Sequence, residues 1–557
     1  MRDFTYNYKK KVFIIHTAEL KNLLKDITEI TDLYSDNLNI SIKLDELKIF
    51  WKVIKNKSNE PSLSKLTKFL EKIIKDDLTI FNNMLSDNKI LYKYLSYYFE
   101  PEMKVLWFDE RNSCYVAGKL TKCCYSKRGY DDEKSVDDCY KDRFDMIAEY
   151  FRSNGRIFDD CTIGNYVFRS DKTLNIKDLP FYKLTDKQFE HFQTSNEKYI
   201  EYLTGIHFLH MKGKMFNNCG NSFSFSGRIV VDQEHYAKID NDEDEEEDLF
   251  EENIIKEELD EQGNIISKEM TKQELIKSQN ELKIKGNEWR VFPYIGVYSL
   301  DYKIWGSAHA SKFSKINFRQ DAFNKVVMKP EKKQLIKKVI EFGYKNNLKN
   351  TTQWDDIIEN KSGGLIFLLH GLPGLGKTLI AESSAELLNR PLISITAGQL
   401  GTDDREIEGY LGMYLKRAKR WNAILLIDEA DVFMEERDSN IQRNALVTIF
   451  LRMLERFDGI LFLTTNRVNN IDIAIKSRMS IILDYKPFTQ DERKQVWENL
   501  LVNTNNQLSE SDLIELSKIE LNGREIKHCI KMAIATSDEG NSITIENIKN
   551  VLQYVLF

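Results

Sequence analysis

Gly371-Leu372-Pro373-Gly374-Leu375-Gly376-Lys377-Thr378 stands directly after the apolar run Leu365-Ile366-Phe367-Leu368-Leu369-His370. The run is short and rich in branched residues, and glycine bounds it, which predicts a buried strand. The glycines then turn the chain, and Lys377-Thr378 open a helix that continues through Leu379. Glycine lets backbone N–H groups come close to a ligand with no Cβ in the way. The loop from Gly371 to Leu379 therefore has the form that cradles the phosphates of a nucleoside triphosphate. Lys377 brings positive charge to the β and γ phosphates, and the Thr378 hydroxyl can ligate Mg²⁺. A turn that merely needs glycines is the alternative. It is set aside because the full eight-residue pattern sits in the strand-to-helix context.

Further along, Ala423-Ile424-Leu425-Leu426-Ile427 is a second buried strand, and it ends in Asp428-Glu429. In a parallel sheet the C-terminal end of such a strand lies beside the phosphate loop. Asp428 is then placed to orient Mg²⁺ and Glu429 to polarise an attacking water. A third strand, Ile460 to Thr465, ends at Asn466, whose amide can hold that water or report the γ-phosphate. Arg478 has the sequence position of an arginine finger supplied to a neighbour's nucleotide. Arg524, at a helix start near the C-terminus, could contact the γ-phosphate from the same chain.

The runs Asp428-Glu429-Ala430-Asp431-Val432-Phe433, Leu463-Thr464-Thr465-Asn466-Arg467 and Ala474-Ile475-Lys476-Ser477-Arg478 make residues from about 322 to 557 resemble an AAA+ ATPase module. Within that group the chain looks most like a subgroup known mainly from fungal genomes, whose members carry a poorly understood domain upstream. Phe225-Ser226-Gly227-Arg228-Ile229-Val230-Val231-Asp232 and the stretch Tyr294 to Trp305 resemble that domain. The resemblance implies an α/β fold with a parallel five-stranded sheet and a helical lid. It also implies ATP as substrate, Mg²⁺, and a homo-oligomeric ring, most often a hexamer. Two departures stand out. No aromatic occupies Leu400-Gly401-Thr402-Asp403-Asp404, where many unfoldases place a pore paddle, and Tyr410 is expected to be a packing residue in a helix. Arg478 also lacks a second nearby arginine, a part that Arg443 could fill from another segment.

Length bounds the rest: 557 residues suit about three domains. The expected layout is a helical segment over 1–100 and an α+β domain over 101–310. An α/β nucleotide-binding subdomain over 322–486 and a helical lid over 487–557 follow. Asp242 to Asp248 is an unbroken acidic run. Like charges that dense repel, so about 241–285 is expected to be an exposed, partly disordered insertion. Seven cysteines without a C-x-x-C pair argue for a reducing compartment. His207, His210 and Cys219 read as strand or loop residues rather than metal ligands. No apolar stretch reaches the roughly 18 residues of a membrane span, so a cytoplasmic or nuclear location is expected. The net charge of −7 and the lack of a basic stripe weigh against nucleic acid. The leading expectation is an ATP-hydrolysing ring motor that remodels a partner, most simply a protein. A nucleotide-gated adaptor with little turnover and a nucleic-acid-dependent loader are the alternatives.

Overall fold

The computed structural model describes residues 3–25, 39–56, 60–126, 142–217, 221–240, 253–259, 265–271, 280–349, 364–401, 403–434, 441–467, 471–502, 504–537 and 542–555. The C-terminal half is built on five parallel strands: β1 (Leu365–Gly371), β2 (Leu392–Thr396), β3 (Ile424–Asp428), β4 (Ile460–Thr465) and β5 (Ile481–Tyr485). Their order across the sheet is β2-β3-β4-β1-β5. The near-continuous apolar runs suit a sheet covered on both faces. Alternation then sorts them. Ile366, Leu368, Leu425, Ile427, Leu461 and Leu463 pack on one face with helix Asp404–Arg420 and helix Ile441–Glu455. Phe367, Leu369, Ile424, Leu426 and Phe462 pack on the other with helix Lys377–Leu388. Phe367 and Phe462, register partners in β1 and β4, stack with ring centroids 4.6 Å apart.

The lid is four helices, Gln490–Leu501, Glu510–Ser517, Gly523–Thr536 and Ile545–Val555. It has a core of its own around Trp497, Leu516, Ile526, Cys529 and Ile548. Capping boxes at Thr489, Ser509 and Asn522 start three of these helices where orphan N–H groups need acceptors.

Upstream, residues 1–100 are not purely helical. Phe4–Asn7, Val12–Ile15 and Ile40–Lys43 form an antiparallel sheet. Phe13, Ile15 and Ile42 from that sheet pack with Leu63, Leu66 and Leu70 of helix Pro61–Ser86. The α+β domain holds two five-stranded antiparallel sheets. In one of them, Ser222–Asp232 pairs both with Tyr294–Ser299 and with Ile206–Phe216. Ile304–His309 bridges those two, so four strands close on themselves. The acidic run lies outside the described residues. The insertion around it contains an antiparallel hairpin, Asn253–Leu259 with Ile265–Thr271, which the sequence reading did not name.

Strand Ser222–Asp232 also joins the two halves. Ile229 and Val231 enter the core of its own domain, whereas Val230 enters the core shared with the parallel sheet. Arg228 and Asp232 share the face of Val230, as the period of two requires. Arg228 pairs with Glu386 at 2.5 Å. Asp232, 1% exposed, accepts from Arg420 at 2.6 and 2.9 Å, from the Trp421 indole at 2.8 Å and from the His235 amide at 3.1 Å. Burial alone would raise the pKa of this carboxyl. The Arg420 guanidinium and the other donors outweigh burial and hold it below its ordinary value. Tyr298 packs on Trp421 at 5.1 Å between centroids, and the Arg417 guanidinium lies 5.0 Å from the Tyr298 ring. Among the described residues, no helix is long and apolar enough to cross a membrane.

Candidate active site

The loop between β1 and helix Lys377–Leu388 bends where glycine is required. Gly374 (φ 79°) and Gly376 (φ 88°) occupy backbone space that side chains disfavour. A Cβ on Gly374 would also sit 2.4 Å from the Asn522 side-chain oxygen. The lid thus rests directly on the loop, and the Gly523 N–H donates to the Gly374 carbonyl at 2.9 Å. Leu375 is buried beneath the loop, whereas Leu372, Pro373 and Leu379 are exposed around it.

Lys377 is 8% exposed, and all three of its donors are used. Its Nζ donates to the carbonyls of Gly371 (2.7 Å) and Leu372 (2.8 Å) and to Asn466 Oδ1 (2.9 Å). Burial lowers the pKa of this ammonium, with Asp428 and Asp431 opposing and Arg524 adding to the fall. The structure therefore brings the loop lysine, the end of β4 and the acids after β3 into one cluster.

Thr378 Oγ1 donates to Asp428 Oδ2 at 3.4 Å. A hydroxyl and a carboxylate converging at the helix start are hard oxygen donors of the kind Mg²⁺ takes. Glu429, next in the chain, is exposed and adopts a left-handed backbone (φ 55°). Its N–H donates to Thr464 Oγ1 at 3.0 Å, and that hydroxyl donates in turn to Asp428 Oδ1. One residue on, Thr465 Oγ1 donates to Asp431, which also accepts from the Asn466 N–H at 3.3 Å. Thr464, Thr465 and Asp431 were not singled out from sequence. Their signal was membership of the runs Asp428 to Phe433 and Leu463 to Arg467, which gave no role to any of the three.

Arg524 opens helix Gly523–Thr536 next to the loop, close enough for its charge to act on Lys377. Arg478 is not brought into the cluster. Its Nε donates to Glu455 Oε1 at 3.0 Å and its Nη1 to the Ala474 carbonyl at 2.7 Å, and Nη2 also donates to Glu455. Tyr410 lies in helix Asp404–Arg420 but is 48% exposed, so it is not the packing residue expected from sequence. Ile407, Leu411 and Tyr414 of the same helix fill the core instead. Thr402 and the side chain of Arg443 lie outside the described residues.

Residues 367–486 match the family model described as "ATPase family associated with various cellular activities (AAA)". Over 169 residues the chain is 32% identical to the mitochondrial Lon protease homolog of Debaryomyces hansenii, which takes in 26% of this chain and 15% of that protein. Over 203 residues it is 30% identical to a 26S proteasome regulatory subunit homolog of Methanothermobacter marburgensis, covering 33% of this chain and 54% of that one. The chain thus spans 15% to 54% of the length of these relatives. The crystal structure of the FIGL-1 AAA domain in complex with ADP covers 41% of this chain and 82% of its own at 21% identity, with a TM-score of 0.34. A parallel five-stranded sheet, a glycine loop gripped by its own lysine and an acidic strand end beside it stand within or next to the matched residues, and over 367–486 this chain carries an AAA ATPase domain with AAA+ homologues.

Proposed function

We propose that the protein hydrolyses ATP as a ring-forming motor and spends the work on remodelling a macromolecular partner, most simply a protein. The observation that carries this reading is the meeting of Lys377, Asn466, Thr378 and Asp428 around one loop. Phosphate oxygens would replace the loop carbonyls and Asn466 as acceptors for Lys377. Thr378 and Asp428 would hold Mg²⁺, which neutralises charge on the phosphates when bound. Glu429, exposed and ionisable beside them, would take the proton of the attacking water, and Asn466 would orient that water. Arg524 would bring the lid's charge toward the γ-phosphate and so tie lid angle to nucleotide state.

Arg478 supports catalysis in trans, because it is held at Glu455 and is not in its own chain's cluster. A homo-oligomer, in the family's manner a hexamer, would present it to the next subunit. The Lon and proteasome-subunit relatives act as support for a protein partner, and kinship of the upstream domain with the mainly fungal subgroup belongs to the same proposal. The test is phosphate release measured against protein concentration. Specific activity should rise as the chain assembles. Activity that stays flat from monomer to oligomer removes the trans arginine, and silence at all concentrations with ATP bound returns the protein to a nucleotide-gated adaptor.

A further inference from the structure

We propose that Thr464 is a positioning residue that aims the Asp428–Glu429 pair, an inference that rests on the hydrolytic reading above. Thr464 is 1% exposed, and three of its bonds go to one turn. Its hydroxyl donates to Asp428 Oδ1 and accepts the Glu429 N–H at 3.0 Å, and its carbonyl accepts the Ala430 N–H at 2.9 Å. The parallel pairing of β3 with β4 ends at Ile427 and Leu463. One step beyond, where β3 parts from β4 but still pairs with β2 through Thr396, the Thr464 side chain takes over from the ladder.

The consequence lies in geometry. A non-glycine residue at φ 55° is uncommon, and such a backbone persists only where its surroundings hold it. Thr464 supplies that hold by fixing the Glu429 N–H, and so fixes where the Glu429 side chain leaves the chain. By engaging Asp428 Oδ1 it also leaves Oδ2 as the oxygen offered toward Thr378. A hydroxyl has one proton to give and lone pairs to receive with, so a single group can serve both acids. Valine has the same outline and neither function. The competing account is that Thr464 only satisfies a half-buried carboxylate, in which case its loss would lower stability and leave the chemical step alone.

The experiment uses the full chain with Thr464→Val and Thr464→Ser. Steady-state phosphate release gives kcat and KM. Binding of a fluorescent ATP analogue, with and without Mg²⁺, gives a readout independent of turnover. In Thr464→Val, kcat is expected to fall roughly 10- to 100-fold, the cost of a small misplacement at a reacting centre. Nucleotide affinity without Mg²⁺ stays within about twofold of wild type, and the gain in affinity on adding Mg²⁺ shrinks. Thr464→Ser keeps the hydroxyl and stays within about threefold of wild type. Normal kcat in the valine variant overturns the proposal, as does a serine variant as slow as valine. If valine does not fold, Thr464→Ala removes the hydroxyl without adding a methyl and is held to the same outcomes. Wild-type protein that binds ATP and releases no phosphate defeats the hydrolytic reading, and this inference with it. Wild-type turnover with an unaffected valine variant defeats the inference alone.

Discussion

Replacing Asp232 with asparagine should loosen the junction between the amino-terminal domain and the AAA domain. Asp232 is buried, and its two oxygens receive both arms of the Arg420 guanidinium as well as the Trp421 indole N–H. Asparagine keeps the shape, loses the charge and turns an NH₂ toward donors. Removing one partner of a fully buried ion pair costs about 3–5 kcal/mol, but Arg420 is 31% exposed and keeps Glu234 at 3.1 Å, so about 1–3 kcal/mol is expected here. At about 1.4 kcal/mol per decade, the docking equilibrium shifts by roughly one to two powers of ten. The Trp305–Trp421 contact, Val230 and the Arg228–Glu386 pair still span the junction, so it is weakened rather than lost. Calorimetry should show the melting transition of this region lowered by about 2–12 °C. Hydrogen exchange should quicken at the end of helix Asp404–Arg420 and at strand Ser222–Asp232. The control is Glu102→Gln, which breaks an exposed pair with Lys119 (3.1 Å) and should cost no more than about 1 kcal/mol. If Asp232→Asn melts and exchanges like wild type, the carboxylate does not fasten the two halves.

Glu429→Gln should bind ATP and assemble normally but hydrolyse far more slowly, as phosphate release with parallel binding would show. Arg478→Ala alone should also be slow, and mixing it with Glu429→Gln should restore part of the activity. A mixed ring pairs an intact acid in one subunit with an intact arginine from the next, so a mixture as slow as either variant refutes catalysis in trans. Acid should loosen the domain junction. The folded pKa values of Asp232 and Glu234 are depressed, so their stabilisation is complete above the unfolded carboxylate range of about 4 and is lost as pH falls below it. Trp421 fluorescence across an acid titration should therefore be flat from pH 8 to 5. His309 works in a higher window. Burial, aided by Lys312, lowers its pKa from 6.5 to about 4, so the unfolded chain takes up the proton first and stability declines as pH falls from about 6.5 to about 4. Melting temperatures of His309→Asn should vary less over that interval, and an unchanged slope would refute this.

Much of the site was legible because its parts are contiguous. A strand, a glycine turn and Lys377-Thr378 lie within fourteen consecutive positions, Leu365 to Thr378, and the pattern has one good structural solution. The strands ending at Asp428 and Asn466 were legible for the same reason. Thr464 was not, because a threonine near the end of a strand is ordinary until its register sets it across from Asp428. Glu455 was hidden likewise, being an unremarkable end of a helix that only folding carries to Arg478. The sheet at Phe4 to Lys43 escaped notice because strands of four residues are too short for a period that separates strand from helix.

The amino-acid sequence by itself determined that a glycine-rich loop ending in Lys377-Thr378, an acidic strand end and an asparagine at the close of the next strand occur in that order. Local chemistry was enough there, since glycine content, charge and apolar runs act over a few bonds. Tertiary structure alone decided which groups touch. It paired Asp232 with Arg420 across 188 positions, parked Arg478 on Glu455 and set the Thr464 hydroxyl between the Asp428 carboxylate and the Glu429 N–H. Such contacts depend on how sheets and helices pack in three dimensions, and no short-range pattern in the chain encodes that distance.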